Sequence, residues 1–299
     1  MTSVVPFEPN HANQLVALWR LLHPDWTWLD NPERRDQIFE RSDAVEPIRY
    51  VVQNQDGVIA SVFSSCWRDR TWPCNRFIQI EARPADLAAE WLDIALASFV
   101  DADRGQPDIW HVANATEILT PVLVPLLEAA GFVRHSSMMR MEWRGESVTV
   151  PDPGPAHLER YAGGDPDIDR AIVDLHNRAF RPSRLVPPAD LERLWKPWPG
   201  LQTHEYVLAM ENGRVVGYAE WLESDGNAPF IDSMVVARSH WGTAVAAAVV
   251  TKAIQILLER GHHKIESCVR SNNAASMRLG WKLGWKVASE MAPTFVRKL

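Results

Sequence analysis

Phe230-Ile231-Asp232-Ser233-Met234-Val235-Val236-Ala237-Arg238-Ser239-His240-Trp241-Gly242-Thr243-Ala244-Val245-Ala246 is the stretch on which the reading of this chain turns. Apolar and β-branched residues up to Val236 predict a strand, Ala237–Trp241 a short turn, and the small residues beyond open a long helix over Thr243–Arg260. Gly242, Ala244 and Ala246 keep side chains out of the way, so a ligand can approach the backbone closely. The first amides of a helix have no partner within it, and its dipole favours negative charge there. Together they make a site for phosphate oxygens that needs no lysine.

Downstream, Gly261 closes the helix and His263–Val269 reads as a strand. Ser271-Asn272-Asn273-Ala274-Ala275-Ser276-Met277-Arg278-Leu279-Gly280-Trp281-Lys282-Leu283-Gly284-Trp285 follows as a capped helix, a glycine stop and an aromatic. The loop resembles the acetyl-CoA signature of the GNAT superfamily, in which Arg or Gln, two residues, Gly, one residue, then Gly or Ala cradle the pyrophosphate. On this chain the pattern falls on Ser239, His240, Trp241, Gly242, Thr243 and Ala244, with Val245 and Ala246 opening the helix and Ser239 departing from the usual first residue. The downstream segment resembles the family's closing helix, whose Asn contacts the cofactor. That role maps to Asn273 with Ser276 in the small position, and Asn272 or Asn273 also suits a helix cap. The resemblance spans roughly the last 100 residues.

The chain also repeats itself. Tyr50–Ser61 and Tyr206–Gly217 are both strand, Asp-Gly or Asn-Gly turn, strand. Leu126–Val133 matches Lys282–Val287 at nearly the same offset: helix end, glycine, aromatic, strand. The repeat predicts two tandem GNAT-like domains over 1–148 and 156–299, divided at Val150-Pro151-Asp152-Pro153-Gly154-Pro155. Each is expected to be α/β, a mostly antiparallel central sheet flanked by helices. In the first copy the matching loop reads Arg83-Pro84-Ala85-Asp86-Leu87-Ala88-Ala89-Glu90, without glycine and with carboxylates that repel phosphate. It is expected to be a degenerate copy, a layout resembling the mycothiol synthases, whose C-terminal half is the active one.

The resemblance implies acetyl-CoA as cofactor, CoA as product, and a small-molecule or peptide amine as acceptor. It implies that the main chain of Met234, Val235 and Val236 binds pantetheine and the thioester carbonyl, where two strands splay apart. Acetyl transfer requires removal of a proton from the amine and benefits from return of one to the thiolate. Asp232, on the strand entering the loop, and Glu220, alternating with Tyr218 on the preceding strand, are the candidate bases. The family's acid tyrosine maps to Gly280; water or Tyr218 could take its place, or catalysis could be weak. The stretch 178–201, with Phe180, Trp195, Trp198, Arg181, Arg184 and Arg193, stands where the acceptor site is expected. The alternative is a non-catalytic acyl-CoA-binding or regulatory tandem module.

A 299-residue chain with 46% hydrophobic and 23% charged residues is ordinary globular material, long enough for two cores. Its net charge of −7 opposes nucleic-acid binding, and no apolar run is long enough to predict a membrane span. The three cysteines show no metal or disulfide spacing, His262 and His263 lack companion ligands, and no metal is expected. With no basic, apolar leader, the expectation is a cytoplasmic protein. Two fused copies favour a monomer over a dimer.

Overall fold

The computed structural model describes residues 2–24, 27–32, 45–67, 75–106, 108–114, 118–183, 185–186, 189–191, 201–224 and 226–299. The chain divides into two compact units, Met1–Ser137 with Met291–Leu299, and Met138–Glu290. The units are therefore interleaved, where the prolines at 150–155 suggested consecutive blocks. Two long strands, β6 (Val133–Arg144) and β12 (Lys286–Lys298), each begin in one unit and end in the other.

The first unit holds β1 (Ser3–Pro6), α1 (Ala12–Leu22), β2 (Val45–Asn54), β3 (Gly57–Trp67), β4 (Asn75–Ala82), α2 (Ala89–Ala102), β5 (Trp110–Asn114) and α3 (Thr120–Ala129). Its sheet runs β1-β2-β3-β4-β5-β12, antiparallel except between β4 and β5. α1 buries Leu15, Val16, Leu18 and Trp19, the i, i+3, i+4 stripe of an amphipathic helix. Phe295, from the last strand, is fully buried among Ile78, Ile80, Leu92, Phe99 and Leu127. Its neighbour Arg297 donates to Ala130 O at 2.9 Å and lies over the Phe132 ring. Inside this core Arg76 grips Asp103 through two hydrogen bonds of 2.6 and 2.7 Å, and His111 reaches the same carboxylate at 2.8 Å. Burial pushes the Asp103 carboxyl up, but the hydrogen bonds from Arg76 and His111 and the Arg76 charge outweigh it and hold it far below its usual range.

The second unit holds β7 (His157–Tyr161), α4 (Pro166–Phe180), β8 (Leu201–Glu211), β9 (Arg214–Ser224), β10 (Phe230–Val236), α5 (Val245–Glu259), β11 (Lys264–Arg270) and α6 (Ala274–Lys282). Its sheet runs β6-β11-β10-β9-β8-β7, with the one parallel pair between β10 and β11. Period-two alternation sorts the strands onto two helices. Tyr206, Leu208, Tyr218 and Val235 face α4, while Val207, Ala209, Ala219, Trp221 and Ile231 face α5. Asn212 and Gly213 take positive φ, the geometry an Asn-Gly hairpin requires. The first hairpin differs: Asn54 pairs with Gly57, so the turn is Gln55-Asp56, one residue ahead of the expected Asp-Gly.

Because Phe295 completes the first unit's core from the far end of the sequence, Phe295→Ala should destabilise that unit by about 3–5 kcal/mol. Urea unfolding followed by probes specific to each unit checks this; a loss under about 1 kcal/mol would deny β12 that place.

Candidate active site

The site grows from one irregularity in β10. Phe230 pairs with Leu222 and Ile231 with Trp221, but the next pair is Ser233 with Glu220. Asp232 is the extra residue of a β-bulge, which re-aims side chains and bends the strand. On the other side, the parallel ladder to β11 contains Phe230–Glu266 and Ile231–Ser267 and, among the described residues, no further pair. The last pair is clamped by the Ser267 hydroxyl donating to Ile231 O at 2.8 Å. Beyond it β10 has one bonded side, toward β9.

The direction of each peptide follows from one bond. Ala237 N–H donates to Val216 O at 2.8 Å, so by antiparallel alternation Ser233 and Val235 also turn their main chains to β9. Met234 and Val236 point theirs to the open side. Val235, grouped with them in the sequence reading, presents no main-chain atoms there; its side chain packs under α4. Gly217, opposite Val236, is tightly enclosed: a β-carbon there would lie 3.1 Å from Val245 Cγ1 and 3.3 Å from Val235 O.

At the end of β10 a 3-10 turn, Arg238–His240, leads to Trp241, to Gly242 at φ +82°, and into α5. The helix has no side-chain cap and no acidic residue in its first turn. Among the described residues, the amides of Gly242, Ala244, Ala246 and Ala247 meet no acceptor, while Thr243 Oγ1 accepts from Val245 N at 3.3 Å. The donor set fits a diphosphate. His240 bridges Ser239 Oγ at 2.9 Å and Glu211 at 3.2 Å, and the Trp241 indole donates to Val236 O at 3.1 Å. Asn273 caps α6, accepting from Ser276 N at 3.2 Å. A β-carbon at Gly280 would meet Met141 and Trp285 at 3.6 Å, so the wall beside that position is already filled.

Under α4 lies a polar cluster. Glu220 accepts from His204 at 2.5 Å, from Tyr206 at 3.2 Å and from the Ser233 hydroxyl. Burial pushes the Glu220 carboxyl up, but those donors outweigh it and hold it below its ordinary range. Tyr218 does share a face with Glu220; its hydroxyl pairs with His176 Nδ1 at 2.8 Å and is sealed from solvent. Burial raises both the Tyr206 and Tyr218 phenols and lowers His176. Asp232 differs. Its surface is open to solvent, yet neighbouring protein atoms crowd it. Burial first, and the Glu220 charge second, raise its carboxyl to about 6, with His204 opposing.

His204, Tyr206, Ser233 and His176 were not singled out from sequence. Counting back from the Asn212-Gly213 turn in regular register would set Tyr206 opposite Ala219; a register shift between Ala209 and Met210 brings Tyr206 opposite Glu220 instead, with His204 two residues away on the same face. Of the expected acceptor residues, Phe180 packs on His176 with ring centroids 4.5 Å apart. Arg184, Arg193, Trp195 and Trp198 lie outside the described residues. Among the described residues no group of three or more His, Cys, Asp or Glu could hold a metal, and no helix is long and apolar enough to cross a membrane.

Residues 170–285 match the model of the Acetyltransferase (GNAT) family. Over 127 residues the chain is 29% identical to the L-methionine sulfoximine/L-methionine sulfone acetyltransferase of Salmonella typhimurium, covering 41% of this chain and 74% of that protein. Among solved structures, a tandem GNAT protein from the clavulanic acid biosynthesis pathway superposes over 100% of this chain and 98% of its own, with TM-score 0.68 at 14% identity. A GCN5-related N-acetyltransferase from Sphaerobacter thermophilus does so over 99% and 95%, with TM-score 0.63 at 17% identity. The match to the GNAT acetyltransferase family lies within the second unit, and the chain carries the tandem GNAT fold throughout.

Since the Glu220 charge raises Asp232, its removal must lower it. In Glu220→Gln the Asp232 carboxyl, followed by carbon-13 NMR, should titrate at lower pH than the value near 6 of the parent. An unmoved or raised midpoint would separate the two carboxylates.

Proposed function

We propose that the chain is an acetyl-CoA-dependent N-acetyltransferase that acetylates the amine of a small molecule or peptide in its second unit. The observation that carries this reading is the bulge at Asp232. It ends the β10–β11 ladder and turns the main chain of Met234 and Val236 to the strand's unpaired side, beside an uncapped helix start. The first unit differs at the same point. There β4 pairs with β3 without a register shift, five pairs join β4 to β5, and Glu90 stands in the first turn of α2.

In this reading the amides of Gly242, Ala244, Ala246 and Ala247 hold the pyrophosphate, with Ser239, His240, Trp241, Thr243 and Val245 shaping the loop. Met234 and Val236 hold the pantetheine arm, and Asn273 and Ser276 flank it. Acetyl-CoA supplies the activated acyl group. Asp232 takes the proton of the attacking amine: it is reachable from solvent, and a carboxyl raised to about 6 is a stronger base than an ordinary one. Glu220, already accepting from three donors, acts through its charge on Asp232. Tyr218 is enclosed with His176, so the leaving thiolate takes its proton from water. The Salmonella relative is named for two small amino-acid analogues, which favours a small amine over a peptide.

Gly280 in place of the family's tyrosine favours a second reading, a module that binds acyl-CoA without turnover. Thiol release on a panel of amines separates the two. On the first reading kcat/KM rises with pH through about 6 as Asp232 ionises, and Asp232→Asn abolishes that limb with a roughly 10²–10⁴-fold loss. Saturable acetyl-CoA binding with no thiol release on any amine would support the second. Gly242→Glu should abolish cofactor binding, since it adds negative charge and strains a left-handed backbone; unaltered binding would displace the proposed phosphate loop.

A further inference from the structure

Val236 presents its carbonyl to the open side of β10, where an extended amide-bearing chain would add as a strand does. That acceptor is already taken. Trp241 reaches back five residues and donates its indole N–H to Val236 O at 3.1 Å. The residue doing so is 68% exposed, with the Arg238 guanidinium 5.8 Å from its ring centroid. A large apolar ring held at the surface by a single hydrogen bond is free to turn away, because little packing is lost when it moves. Gly242 at φ +82° follows it immediately, and nothing stands within 4 Å of where its β-carbon would be, so the adjoining backbone is uncrowded too.

We infer that Trp241 is a built-in competitor of the cofactor: its indole occupies the Val236 carbonyl in the free enzyme, and the pantetheine arm must displace it to bind. The inference rests on the proposed cofactor site and adds a property to it. Part of the binding energy of the arm is offset by the lost indole bond, so Trp241 weakens affinity for the acyl donor and for the CoA product alike. A weaker product complex favours release, which limits turnover in many enzymes.

The full chain is titrated calorimetrically with CoA and with acetyl-CoA, as the parent, as Trp241→Phe and as Trp241→Ala. Trp241→Phe keeps a ring and loses the N–H. It should bind both ligands roughly two- to tenfold more tightly, the worth of one neutral hydrogen bond. Trp241→Ala should bind at least as tightly as the parent. In the proton–nitrogen spectrum of the parent, the indole signal that disappears in Trp241→Phe should shift on addition of CoA. Unchanged or weaker binding by Trp241→Phe, with the parent binding saturably, overturns the competitor role and leaves the cofactor site standing. If neither parent nor variants bind, the site reading and this inference fall together. Binding by the variants alone supports both.

Discussion

The second unit is organised by a mismatch of one residue. A sheet whose strands stayed in register would pair every peptide of β10 on both sides and offer nothing to a ligand. The extra residue at Asp232 bends the strand, ends its parallel ladder at Ile231, and frees two peptides at the strand's end. It also lifts one carboxylate out of the alternation that would have directed it toward a helix. The clamp from Ser267 to Ile231 O fixes where the divergence starts. From there the turn into α5 sets bare amides at the mouth of the opening. Ligand geometry and the position of the base thus derive from one backbone feature.

Around that feature the side chains divide the labour by burial. Protein donors replace the water that Glu220 loses on burial, and it stays charged. That charge, with the crowding around Asp232, holds the more open carboxyl near neutrality's edge. Two carboxylates on neighbouring strands are driven apart in proton affinity by different surroundings, a pattern that assigns separate roles to like groups. The tyrosines and His176 beneath them make a rigid, hydrogen-bonded floor.

Much of this could be read from the chain before any coordinates. The long helix before Gly261, the Asn-Gly hairpin, the glycine stops at Gly131, Gly261 and Gly284, and the bare helix start after Gly242 rest on local rules, and each stands where those rules put it. What escaped was non-local. A bulge is a relation between two strands, so nothing in Ile231-Asp232-Ser233 alone announces it. Without it, Val235 looks as available as Met234 and Val236. The network of His204, Tyr206 and Ser233 about Glu220 depends on a second register shift, between Ala209 and Met210, that counting from the turn misses. The sharing of β6 and β12 escaped for the same reason, since prolines at 150–155 mark a break in secondary structure and carry no information about which strand closes which core.

That sharing has a consequence for how the protein is made. Synthesis runs from the amino end, and a domain encoded first ordinarily folds first. Here the first unit lacks its closing strand until Met291–Leu299 have emerged. Until then the nascent chain carries an unfinished sheet, with the Phe295 seat unfilled and the β5 edge exposed. The second unit, which needs nothing past Glu290, can assemble before it. The order of completion is the reverse of the order of the code, and Met291–Leu299 seal the unit that the earlier segment began.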